Sequence, residues 1–416
     1  MFMKRINLLV FGIFITGISY AQAQNDSKLY GIIISGGHLI DPKNQIDEPM
    51  DIAVNDGKIA LIAKQIDPEK ATQVVDAKGM FISPGLIDIH SRLGSNLPDG
   101  YTLRVGVTTI ADAGDADWQT FKDFKKNIID RSVTRVLSFL NIQGGNYSGK
   151  AGENNSGDQI ASESAKLALL NKKDIVGFKV DFVGPDWSAV DRGVEAGNIA
   201  NMPVMLDGGR NHPHPSLADL FFKHMRKGDI YTHTYTIIED FNARDRIVDQ
   251  QTGKINPAFS EAQKKGIIFD VGHGSAFRYS NAIPAMKQGF WPNTISTDIS
   301  MGSINAFMKD MMNVMSKFLT MGMSLKDVIK ASTWAPAQAI KREELGHLSP
   351  GAIADLTVFS LRKGKFGFYE TAGYKMTGDQ KFECELTIRA GRIVYDLNGI
   401  TTPLNNFFRE GNQFRQ

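Results

Sequence analysis

Cysteine is almost absent from this chain: Cys384 stands alone among 416 residues. One thiol excludes an internal disulfide, so the protein must be held by its core even in an oxidising compartment. A charge imbalance is missing as well. Forty-seven Lys and Arg against 45 Asp and Glu leave a formal charge of +2. They are interspersed, with no basic stripe and no basic-aromatic interleaving, and this argues against nucleic acid as a partner. Internal repeats and low-complexity tracts are lacking too. With 42% hydrophobic and 22% charged residues, the expectation is a folded globular protein with a large core, not disorder.

Long apolar runs are scarce, and the one that exists lies at the start. Lys4 and Arg5 precede the run Ile6 to Tyr20, and Ala21-Gln22-Ala23 follows with the small-x-small pattern of a signal-peptidase site. The run is short for a spanning helix, and no later segment is apolar enough to cross a bilayer. Residues 1–23 are therefore expected to be a removed secretory signal. The mature chain would then be secreted or periplasmic, with no membrane attachment after cleavage.

From Leu29 to Ser83 the pattern is of short strands punctuated by turns: YGIIISGG, then DIAVNDGKIALIA with Asn-Asp-Gly marking a hairpin, then TQVVDAKGMFIS. The same texture returns in ADLTVFSL and in CELTIRAGRIVYD, where Ala390-Gly391-Arg392 is a second hairpin turn. Residues 24–84 and 350–416 are expected to form one composite, β-sandwich-like domain built from both chain ends. Between them, over residues 85–349, short apolar runs alternate with helical patterns. The runs start at Gly85, Val107, Arg135, Ile175, Pro203, Asp229, Gly266 and Thr294. Eight such runs with intervening helices predict an α/β fold, a parallel (β/α)8 TIM barrel whose functional residues sit at the C-terminal strand ends. The Gly- and Asn-rich stretch Gln143 to Asp158 is expected to be a long surface loop.

The residues at those strand ends carry chemistry. In PGLIDIHSRL, Asp88, His90 and Arg92 alternate along the first strand and project to one side. Lys179 and Asp181 end the fourth strand, Asp207 the fifth, His233 the sixth, His273 the seventh and Asp298 the eighth. A single histidine in a strand is ordinarily a hydrogen-bonded core residue, and a lysine at a strand end can snorkel to solvent. Convergence on one mouth of three histidines, a lysine and several aspartates is instead the inventory of a metal site. Arg210, His212 and His214, after the fifth strand, are within reach of that mouth; His38, His224 and His347 fall outside it.

These motifs resemble the amidohydrolase superfamily, and within it the dihydroorotase-like amidohydrolase/deacetylase metallohydrolases. The resemblance rests on GLIDIH, SGGHLIDP, FDVGHG and STWAPAQAIKREELGHLSPGAIADLTVF, in order, over nearly the whole mature chain. It implies His90, Lys179, His233 and Asp298 as metal ligands, with Lys179 carboxylated by carbon dioxide and Asp298 also the general base. It implies His273 as a substrate contact and a divalent cation, zinc, as cofactor; the cation would lower the pKa of its water from ~15.7 toward ~7 and polarise the carbonyl under attack. The activity implied is hydrolysis of an amide, cyclic amide or acyl ester of a small-molecule substrate.

Two positions depart from the family pattern. Where the first strand ordinarily ends His-x-His, Arg92 replaces the second histidine, and an arginine stays protonated and cannot ligate. Where many members have histidine on the fifth strand, this chain has Asp207. Both are assigned to substrate binding, Arg92 as a bidentate partner for a substrate carboxylate. A carboxylated Lys179, Asp207 and Asp298 supply three negative charges; one divalent cation plus Arg92 supplies three positive, and two cations plus Arg92 supply five. At ~4 Å and an effective dielectric of ~20, two unit charges repel by about 4 kcal/mol. One metal is therefore expected in preference to two. The alternative to an enzyme is a barrel that has lost catalysis with its second histidine and serves as a binding or structural protein. A barrel of this kind is compatible with a monomer or a symmetric oligomer.

Overall fold

A computed structural model of the chain describes residues 28–142, 161–181, 186–207, 216–236 and 246–401. The proposed signal, the stretch Gln143 to Asp158, Arg210, His212 and His214 lie outside the described residues. The strands in chain order are β1 (Tyr30–Ser35), β2 (His38–Asp41), β3 (Ile46–Pro49), β4 (Asp51–Asn55), β5 (Lys58–Ala63), β6 (Ala71–Asp76), β7 (Phe81–Pro84), β8 (Leu86–Ser91), β9 (Val107–Asp117), β10 (Arg135–Asn141), β11 (Ile175–Val180), β12 (Val204–Asp207), β13 (Ile230–Thr232), β14 (Ile268–Phe269), β15 (Leu356–Tyr369), β16 (Lys375–Arg389) and β17 (Arg392–Asp396).

Strands β8 to β14 form one parallel sheet in sequence order. Every residue of β8 and of β11 is buried, as expected of strands covered on both faces. The eighth apolar run does not form a regular strand, although it closes the ring. Its backbone is bonded on one side to the seventh stave, by Val271 N to Thr294 O (3.1 Å) and His273 N to Ser296 O (3.2 Å). On the other side it meets the first, by Asp298 N to His90 O and Arg92 N to Ile299 O, both 2.8 Å. Asp298 takes a left-handed backbone (φ 49°), which interrupts the extended repeat at the point where its side chain enters the mouth. The molecule is thus a TIM-like α/β barrel, with seven strands and one irregular stave among the described residues. Asp88 fastens that closure: its carboxylate accepts from Thr297 N (3.0 Å) and Thr297 Oγ1.

Two further sheets lie beside the barrel. One has the order β5-β4-β1-β6; the other, β17-β16-β15-β7-β2-β3, interleaves strands from both chain ends. Ile34, Leu39, Ile52 and Ile82 from the first end pack with Leu356, Val358, Leu386 and Ile388 from the second in one buried cluster. The hairpins at Asp56-Gly57 and Ala390-Gly391 stand where the turn residues predict them. β15 and β16 run well beyond this cluster. Their distal halves place Phe368, Phe382 and Cys384 in the barrel's own core with Phe318, and Phe382 N donates to Ser316 Oγ (3.0 Å) on the helix Met311–Thr320. The hairpin tip is thereby carried to the barrel mouth.

Candidate active site

Strand periodicity decides which side chains reach the mouth, and the strand ends decide how they meet. His90, Asp207 and His233, from β8, β12 and the turn after β13, are all buried and offer ligand atoms within 4.8 Å of one another. His233 Nε2 is 3.3 Å from Asp207 Oδ2, and the two imidazole rings are 5.0 Å apart. Lys179 Nζ lies 3.3 Å from His90 Nε2 and 3.6 Å from both Asp181 Oδ1 and Asp207 Oδ2. Asp298 stands opposite, 3.6 Å from His90 Nε2 and 3.9 Å from His233 Nε2. His90, Lys179, His233 and Asp298 are therefore brought together, and Asp207, expected to face substrate, lies among the potential ligands.

Hydrogen bonds behind the histidines select their tautomers. Thr232 Oγ1 donates its one proton to Asp270 Oδ2 (2.7 Å), so it accepts from His90 Nδ1 (2.8 Å). The proton then sits on Nδ1, and Nε2 presents a lone pair to the mouth. His233 Nδ1 donates to the carbonyl of Gly272, which only accepts, so Nε2 is the nitrogen turned toward the mouth and Asp207. Asp270 also accepts from Thr294 Oγ1 and Ser296 Oγ, both 2.6 Å, so it gathers three staves under the site. His233 shares the left-handed backbone of Asp298 (φ 56°), an uncommon conformation found where surrounding structure over-determines it. Gly272 and Gly274 allow this closeness: a Cβ at the first would collide with Thr232 and His90, and at the second with the Asp298 carboxylate.

Electrostatics divide the ionisable groups. Burial, then the charges of Lys179 and His233, push His90 well below the ordinary histidine range and keep it neutral. Burial alone would raise Asp207, but His233 and Lys179 outweigh it and hold the carboxyl well below its usual range. Burial raises Asp298 against the pull of His233 and Arg92. His233 is raised because Asp207 and Asp298 outweigh its burial.

Arg92 is fastened to Asp181. Its two terminal nitrogens meet both carboxylate oxygens, one at 3.2 Å, and Nη2 is 3.9 Å from Asp207 Oδ2. Asp181 also accepts from Asn141 Nδ2 (3.0 Å). The guanidinium lines a cavity of about 320 Å³ with Asp207, His233, Asp298, Ser303 and Phe307. Of the residues expected here, His273 is placed differently. It is buried, stacked on Phe277 at 4.6 Å, and its Nε2 receives a hydrogen bond from Lys317 Nζ (2.7 Å), so it faces the helix behind the wall and is not among the residues lining the cavity. His38, His224 and His347 lie elsewhere, the first two paired with Asp47 and Asp191 and the third packed against Trp334.

Sequence reasoning missed Thr232, Asp270 and Lys317. Asp270 sits inside FDVGHG, and Lys317 is the single charge in MMNVMSKFLT, an anomaly on a buried helix face that could have drawn notice.

Comparison with known proteins follows from this geometry. Residues 213–394 match the Amidohydrolase family. The chain is 31% identical to a deacetylase of Agrobacterium fabrum over 333 residues, covering 74% of this chain and 77% of that one. It is 28% identical to a deacetylase of Enterococcus faecalis over 390 residues, 88% and 99% of the two chains. A crystal structure of an adenine deaminase superposes with a TM-score of 0.80 at 26% identity, covering 88% of this chain and all (100%) of that one.

Proposed function

This chain belongs to the amidohydrolase family, a hydrolytic enzyme by that membership, and from there we propose that it removes acyl groups from a small-molecule amide or ester with one bound zinc ion. The observation that carries the reading is the buried group His90, Asp207 and His233 beside Asp298 at a cavity large enough for a small substrate. The donors suit the ion: the neutral imidazole of His90, the imidazole of His233, whose Nε2 proton the ion would displace, and one carboxylate held ionised form a mixed nitrogen and oxygen set appropriate to zinc. Lys179, as an ammonium or as a carbamate formed with carbon dioxide, adjoins that set. When bound, a divalent cation supplies Lewis acidity, polarising the acyl carbonyl and bringing the pKa of water from ~15.7 toward ~7.

The chain's own groups do the rest. Asp298, raised by burial and lining the cavity, is placed to accept the proton of the attacking water and deliver it to the leaving group. Arg92, held rigid by Asp181, presents a fixed positive charge to a substrate carboxylate or to the oxygen that gains charge as the carbonyl is attacked. Its position beside Asp207 disfavours a second cation. We further propose that residues 1–23 export the protein from the cytoplasm.

Elemental analysis and a hydrolysis screen test this. Protein purified with added zinc or manganese is assayed on N-acetyl amino acids, acetylated hydroxy acids and cyclic ureides. One metal per chain with turnover of an acetyl substrate is expected; absence of both turnover and metal uptake would overturn the reading.

A further inference from the structure

The cavity is lined by two chemically distinct sets of residues. Arg92, Asp207, His233 and Asp298 are charged or titratable and include the candidate ligands; Ala306, Phe307 and Thr371 are apolar or uncharged. Phe307 lies on the loop after the eighth stave, and the residue is 40% exposed although it belongs to a cavity wall. Its ring is 6.3 Å from that of Tyr369, itself 42% exposed. Thr371 comes from the tip of the β15–β16 hairpin, so a strand pair rooted in the end sheet supplies part of the wall. Glu370, buried beside it, accepts from Tyr279 N (3.0 Å) and pins that tip to the barrel.

Lys317 ties these pieces together. In its ammonium form it has three N–H donors, and each has an acceptor: Phe307 O (2.9 Å), Tyr369 O (2.7 Å) and His273 Nε2 (2.7 Å). His273 adjoins Gly274, which lines the cavity beside Asp298, so one buried side chain holds the two segments of the aromatic wall and touches a third that borders the candidate ligands. A lysine with no solvent exposure inside a methionine-rich helix face is costly unless each donor is satisfied, and here each one is.

We propose that the Phe307 loop and the β15–β16 hairpin tip form a specificity wall for an aromatic portion of the substrate, and that Lys317 is the positioning residue that holds both in place. The proposal rests on the hydrolase reading and adds the substrate class: acyl compounds bearing an aryl group beyond the scissile bond. An exposed, fixed aromatic face accepts a flat ring by offset or edge-to-face stacking, whereas a methyl group gains little there.

The test compares two zinc-binding probes, phenylacetohydroxamate and acetohydroxamate, by calorimetry on the zinc-loaded full chain. Wild type is expected to bind the aryl probe about tenfold tighter than the methyl one. Phe307→Ala, a change at a half-exposed side chain that the fold tolerates, should bring that ratio close to one. Lys317→Met should do the same and speed amide hydrogen exchange at Tyr369 to Thr371. Equal affinity of the two probes for wild type or an unchanged ratio in Phe307→Ala would overturn the wall, and unchanged exchange in Lys317→Met would overturn the positioning role, each leaving the hydrolase reading standing. Failure of both probes to bind wild type would instead overturn the zinc-dependent reading and the substrate class with it, and the exchange measurement would still decide the role of Lys317.

Discussion

Replacing Arg92 with glutamine should weaken the metal-free fold and strengthen metal binding at once. In the fold, Arg92 holds both oxygens of Asp181, a buried carboxylate. Removing one partner of a buried ion pair costs about 3–5 kcal/mol, because the other charge is left without its counterion. Lys179 at 3.6 Å and Asn141 at 3.0 Å remain on Asp181, so the expected loss lies at the lower end, about 3 kcal/mol. The same guanidinium is 3.9 Å from Asp207, one of the candidate ligands. Unit charges at ~4 Å and an effective dielectric of ~20 interact by about 4 kcal/mol, and a divalent ion nearby feels up to twice that. If solvent and relaxation leave only about 1.4–2.8 kcal/mol of the relieved repulsion, zinc binds ~10- to ~100-fold more tightly. The assays are urea unfolding in the presence of a chelator and zinc competition against a chromophoric chelator at fixed ionic strength. A variant as stable as wild type without metal, and no tighter for zinc, would refute the electrostatic account of this mouth.

Three other outcomes are expected. Asp298→Asn should retain zinc, measured by elemental analysis, while kcat on the best acetyl substrate falls ~10²- to ~10⁴-fold, the usual worth of a general base. Thr232→Val removes the hydroxyl that fixes the His90 tautomer and should weaken zinc binding ~10- to ~100-fold in the same chelator competition. Burial, with a smaller contribution from Lys309, lowers Lys317 from the ordinary lysine value of 10.5 to about 7. The unfolded chain therefore holds more protons than the folded one between those values. Stability should rise with pH from about 7 toward 10, by up to ~1.4 kcal/mol per unit from this group, and Lys317→Met should remove that part of the slope in chelator-treated protein followed by urea unfolding.

Much of the barrel was legible because burial on both faces of a parallel strand leaves a continuous apolar run, and because the runs come in chain order. The eighth run was legible as a stave but not as an irregular one. Its irregularity comes from the left-handed turn at Asp298, which the residue type permits and does not announce. His90 and Lys179 were readable for a local reason: on a strand, alternate side chains share a face, so a polar residue near its end points into the mouth. His233 and Asp298 were readable only as polar residues closing an apolar run, since each stands on left-handed backbone outside a regular strand. Asp207 was visible as a strand-end carboxylate, yet its place among the potential ligands depended on how far β12 and β13 are staggered. His273 shows the opposite case, a strand-end histidine whose glycine neighbours turn it toward Lys317 and away from the cavity.

What the chain's own order of residues determined, then, was the barrel, the two-ended assembly of the outer sheet and the list of groups that reach the mouth, all of which follow from short-range periodicity and turn chemistry. Only the tertiary structure decided which groups share a proton or a charge. The pairing of Arg92 with Asp181, the Asp270–Thr232–His90 relay and the three bonds of Lys317 join residues 89, 142 and up to 52 positions apart, and contacts of that kind exist only once the ring has closed and water has left it.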